Sequence, residues 1–162
     1  MTRQDLGDES TTVTAQDDVL LMERVFDAPR ELLWTAMTEA EHIPHWYGPH
    51  GNTAVVEEMD LRPGGRWRIA PQGPGGMAFT GEFLEVVPPE RLVRTSRPDV
   101  GPPGPAAVET LTFEDLGGRT RLRWEARFPS ADILDFALGT GMTKGILEQF
   151  DRLAALLPSL AP

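Results

Sequence analysis

Between residues 140 and 157, Met142, Ile146, Phe150, Leu153 and Leu157 recur three or four positions apart, the spacing of one face of an α-helix. Lys144, Glu148, Gln149, Asp151 and Arg152 fall largely on the other sides. At 1.5 Å per residue such a helix is about 27 Å long, enough to cross a small domain. Its apolar face needs a surface to lie on, and the chain before it reads as a curved antiparallel sheet that supplies one.

The strand signals are local. Leu122, Trp124, Ala126 and Phe128 alternate with Arg121, Arg123, Glu125 and Arg127, which puts one face of a strand inward and the other in water. Trp67 and Ile69 alternate with Arg66 and Arg68 in the same way. Further strands are expected at residues 19–26, 53–59, 77–87, 91–97 and 107–114, with Gly81 marking a bulge or a close approach. Asp27 suits a helix N-cap and Pro29 a first helical turn. A helix then follows through Leu32, Leu33, Ala36 and Met37, with Trp34 beside them. Thr38 caps a second short helix, from Glu39 to just before Trp46, and Gly48, Pro49, Gly51 and Asn52 make a loop. Residues 70–76 and 98–105 are rich in Gly and Pro and read as connections. Gly64-Gly65 and Gly75-Gly76 read as turns rather than phosphate cradles. Ser130 caps a helical piece at 131–138, and Gly139 and Gly141 permit a kink before the long helix. Residues 1–18 are polar and without periodicity, and read as a disordered tail ahead of one domain at 19–158. Strands and helices are segregated along the chain, which argues α+β.

Composition removes several function classes. With a net charge of −10 and no Cys, the chain lacks the basic patch that nucleic acid or an anionic membrane would need, and disulfide or thiol chemistry is excluded. No apolar run is long enough to span a bilayer and no signal pattern opens the chain, so the cytoplasm is the expected location.

Several motifs, taken in order, resemble one family. Phe26-Asp27-Ala28-Pro29-Arg30-Glu31 leading to Trp34 resembles the first strand-to-helix joint of the SRPBCC (START-like, Bet v1-like) superfamily. Within it, Trp46-Tyr47-Gly48-Pro49, the run from Asp60 to Trp67 and the run from Gly81 to Leu92 are similar to the group named for the activator of the heat-shock protein 90 ATPase. Leu111-Thr112-Phe113-Glu114, Gly118 to Leu122 and Met142 to Leu157 complete the match, which spans residues 19–157. The resemblance implies the helix-grip fold, an antiparallel sheet wrapped around the C-terminal helix with a cavity between them. One departure stands out: in this group the position after Gly145 is often Trp, and here it is Ile146.

The candidate cavity residues are Trp46, Trp67, Phe79, Phe83, Trp124, Phe128, Met142, Ile146 and Phe150, an aromatic-rich set of the kind that receives a flat apolar ligand or simply fills a core. Trp34 and Phe113 are assigned to the core. Glu109 shares strand parity with Leu111 and Phe113 and joins the candidates, since an inward carboxylate has a partner or a raised pKa. The preferred reading is that it lies near the strand end and reaches solvent. His42, His45 and His50 lie close in sequence, but such a spacing lacks a defined ligand set, so no metal is expected, nor any cofactor. No recognisable catalytic set is present. The expected function is binding of a small hydrophobic molecule. A chaperone-linked, stress-response interaction role is the alternative and a cyclase- or aromatase-type enzyme the second. Beyond the ligand, a homodimer and a chaperone are the partners compatible with the chain.

Overall fold

The computed structural model describes residues 3–72, 76–100, 102 and 104–161. The connections expected at 70–76 and 98–105 fall partly outside these residues, as does Gly75 of the second glycine turn. The order is β1 (Gln4–Asp5), β2 (Thr12–Gln16), β3 (Val19–Phe26), α1 (Arg30–Thr38), a 3-10 turn (Ile43–His45), β4 (Ala54–Met59), β5 (Arg66–Pro71), β6 (Phe79–Val87), β7 (Arg91–Pro98), β8 (Ala107–Asp115), β9 (Thr120–Arg127), α2 (Ala131–Gly139) and α3 (Met142–Leu160). The strands form one antiparallel sheet in the order β1-β2-β3-β9-β8-β7-β6-β5-β4. This is the helix-grip architecture, with α3 against the concave face. Among the described residues no helix is long and apolar enough to cross a membrane.

Four local expectations are corrected. The segment read as a disordered tail supplies β2, which pairs with β3 from Thr12↔Glu23 to Gln16↔Val19. Its alternation is short but real: Val13 and Ala15 are buried while Thr12 and Gln16 face out. The N-cap of α1 is Pro29 rather than Asp27, and no side chain caps that end. The second short helix shrinks to the single 3-10 turn, because Pro44 stands inside it and cannot donate to an α-helical ladder. The long helix, conversely, passes through Pro158 to Leu160; in its last turn a proline forgoes one hydrogen bond without ending the helix.

The core divides α3 into two halves. Phe150, Leu153 and Leu157 are fully buried. Phe150 meets Phe26 and Trp124 edge to face, with ring centroids 6.1 and 6.0 Å apart, a favoured aromatic geometry. Trp34 and Phe113 pack together in the same way at 5.3 Å, a core pair under α1. The N-terminal half of α3 behaves differently: Met142 and Ile146 are only partly buried. Gly141 opens the helix with φ of 85°, a left-handed conformation that suits glycine and turns the chain between α2 and α3.

Candidate functional site

The partly buried half of α3 stands over a cavity of about 730 Å³. Its floor is the concave face of the sheet, where Trp67 of β5, Arg94 of β7, Glu109 of β8 and Trp124 of β9 contribute side chains. Phe79 and Phe128 also line it, and Met142 and Ile146 roof it. Of the cavity candidates read from the sequence, these seven aside from Arg94 (Trp67, Phe79, Glu109, Trp124, Phe128, Met142 and Ile146) are brought together. Three are not. Phe150 is spent on the aromatic contacts just described. Phe83 is 1% exposed in the core. Trp46 is buried away from the cavity, where its indole N–H donates to the Ala36 carbonyl of α1 at 2.7 Å. Its neighbour Tyr47 lines the cavity instead.

The floor is polar at one point. Arg94 and Glu109 are direct partners across β7 and β8, so their side chains leave the sheet on the same face. Arg94 Nε donates to Glu109 Oε1 at 2.7 Å, with the side chains only 10% and 14% exposed. Glu109 therefore faces inward with a partner, and the expectation that it reaches solvent is overturned: its strand end is covered by the neighbouring strands and by the cavity wall. Arg94 itself was not read from the sequence. The signal was its parity with Leu92 in β7, masked by the ordinary expectation that a charged strand residue points to water.

Indole rings hold the guanidinium. Its centre lies 4.3 Å from the Trp67 ring centroid and 5.5 Å from that of Trp124, within the range of cation–π attraction. Trp67 is itself fixed by Gly81. Its indole N–H donates to the Thr95 carbonyl at 3.0 Å, and a Cβ on Gly81 would lie 1.8 Å from that oxygen and 2.8 Å from the indole nitrogen. Only glycine permits this crossing, and it is the close approach expected at that position. Trp124 Nε1 is buried and has no hydrogen-bond partner among the described residues, whereas buried donors are normally satisfied. Burial pushes the Tyr47 hydroxyl up to about 12; the Arg94 charge opposes this and the Glu109 charge adds to it.

The rim of the cavity is tied to α3. Gly48 N donates to Gln149 Oε1 at 2.8 Å and His50 N to Glu148 Oε1 at 3.0 Å. Arg152 Nη1 donates to three successive carbonyls, those of Tyr47, Gly48 and Pro49, at 3.0, 3.1 and 3.0 Å. Burial lowers the Arg152 pKa, and the three carbonyls supply what water would otherwise give. The polar side of α3, which the sequence marks as solvent-facing, thus includes three residues that fasten the loop carrying Tyr47.

The histidines do not converge. His42 lies 3.3 Å from Glu39 and 3.6 Å from Glu41 at the surface, His50 is at the cavity rim, and His45 is exposed in the 3-10 turn.

The family model described as Activator of Hsp90 ATPase homolog 1-like protein matches residues 27–158. The chain belongs to this family. Solved structures of similar fold include protein Ms6760 from Mycobacterium smegmatis, 25% identical, with a TM-score of 0.79 over 90% of this chain and 96% of that one. Protein CV1439 from Chromobacterium violaceum is 27% identical, with a TM-score of 0.73 over 85% and 96%. A protein from Rhodobacter sphaeroides, 23% identical, matches in fold with a TM-score of 0.82 over 93% and 99%. No curated protein is significantly similar in sequence. In this activator-like family the residue singled out by its departure, Ile146, is one that lines the cavity.

Proposed function

We propose that the protein binds a small, largely apolar molecule between the sheet and the N-terminal half of α3. The observation that carries this reading is the cavity. A volume of about 730 Å³ lies within the range of small-molecule sites, roughly 300–1,000 Å³. Its inner walls are mainly aromatic and aliphatic, with Arg94 and Glu109 as the charged pair of the floor and further polar residues at the rim, which is the usual construction of a binding site rather than of an interior defect. It extends from buried Trp67 and Trp124 to exposed His50 and Lys144, so a molecule has a way in.

Native mass spectrometry of the protein purified from its own host tests this directly. The expected result is a mass increment that disappears on denaturation. Unliganded protein alone, together with failure of hydrophobic probes to bind, would overturn the reading and favour the ATPase-activating role that the family's description names.

A further inference from the structure

Resting on the binding function proposed above, we infer that Arg94 and Glu109 together read the polar end of the ligand, and that this end is an uncharged group with a carbonyl acceptor beside an N–H donor, as in a carboxamide. The bond between them is single, from Nε to Oε1. A guanidinium offers five donors and a carboxylate two oxygens, so the Nη groups and Oε2 are left over. Among the described residues neither side chain makes another hydrogen bond. Trp67 and Trp124 lie against the guanidinium, which fixes the planar group and leaves its N–H edge to meet a ligand.

The charges of the lining decide against an ionised ligand. They are two cations, Arg94 and Lys144, and two acids, Glu109 and Glu148, paired as Arg94 with Glu109 and Lys144 with Glu148. A carboxylate entering beside Arg94 would lose its hydration and meet Glu109 as well; an ammonium would meet Arg94. Burying a charge without a compensating partner is costly. A carboxamide has no such cost. Its carbonyl can accept from Arg94 Nη while its N–H donates to Glu109 Oε2, so the ligand's acceptor and one donor each find a partner that the single Nε–Oε1 bond leaves open on these two side chains.

The test is calorimetric titration with four molecules that share one ring system: 1-naphthamide, 1-naphthoate, 1-naphthylmethylammonium and 1-methylnaphthalene. Naphthamide should bind at least about tenfold more tightly than each of the others, the weight of one or two hydrogen bonds to charged groups. In Glu109→Gln the Arg94 charge loses its counterion, and naphthoate should overtake naphthamide. Equal affinity for all four, or preference of the wild type for naphthoate, would overturn the inference while leaving the binding function standing. No binding by any of them, with no co-purified molecule, would remove both. Should Glu109→Gln not fold, the wild-type order alone decides.

Discussion

Tyr47 is the single tyrosine of the chain, so phenolate absorbance reads one group whose environment is known. Burial pushes its hydroxyl from the ordinary 10.0 up to about 12. Between these two values the unfolded chain has released the proton and the folded chain keeps it. The native state then binds more protons, so stability falls as pH rises. The contribution is complete below the unfolded value and is lost through the folded one. Alkaline titration of the folded protein, with tryptophan fluorescence reporting that it is still folded, should give a midpoint near 12 and a lower one in Glu109→Gln. A midpoint at the ordinary value would mean that the hydroxyl is not enclosed. The same residue marks what a sequence hides at this scale. Trp46 and Tyr47 are adjacent aromatics of one motif, and nothing in their order says which turns to α1 and which to the cavity. The 3-10 turn decides it, because only there does the Trp46 indole reach the Ala36 carbonyl. Arg94 is hidden for another reason. Its parity with Leu92 marks the inward face, but its partner depends on register, which sets it opposite Glu109, and register is a property of two strands that neither sequence states alone.

Elements were legible in proportion to how clearly one face is buried. β9 alternates over its full length and its burial follows the letter pattern. Likewise α3 has its apolar stripe, and Phe150→Ala should cost about 3–5 kcal/mol as the truncation of a fully buried aromatic; denaturant melts equal to wild type would show that the helix does not pack as described. β2 was illegible because only Val13 and Ala15 carry the pattern, and two residues among polar neighbours do not stand out. Its burial reverses the expectation of a disordered tail. Val13 is 1% exposed, and full burial of such a side chain is worth about 1.5–3 kcal/mol. Removing β2 also leaves β3 as an unpaired edge, a template for association. A chain starting at residue 17 should therefore melt roughly 5 °C lower, at about 2–4 °C per kcal/mol for a domain of this size, and should aggregate more readily. A melting temperature unchanged by the truncation would return these residues to the status of a tail.

At the scale of the molecule the fold poses one energetic question, which is how it tolerates its own cavity. A dry void costs about 24 cal/mol per Å³, so one of this volume would cost on the order of 17 kcal/mol, more than the whole stability of a typical domain, about 5–15 kcal/mol. The space is therefore filled by solvent or by a ligand, and the protein keeps it by fastening both sides. Phe150, Leu153 and Leu157 anchor the far half of α3 in the core, and Arg152 ties the rim loop to the same helix. The near half is then held above the sheet rather than collapsed onto it. The motifs of the family foretold this arrangement but not its contents, since the polar floor depends on which charged residues pair across strands. Ile146→Trp tests the arrangement as a whole. Ile146 roofs the cavity from α3 while Trp67 and Trp124 face it from separate strands. An added indole there enters open space, so the variant should lose affinity for apolar probes while unfolding within about 1 kcal/mol of wild type. Were the site a closed core, the same substitution would overpack it, at a cost of typically 1–3 kcal/mol. Equilibrium unfolding and probe titration on this one variant therefore separate the two cases: loss of stability with no probe binding by the wild type would mean that α3 and the sheet enclose nothing.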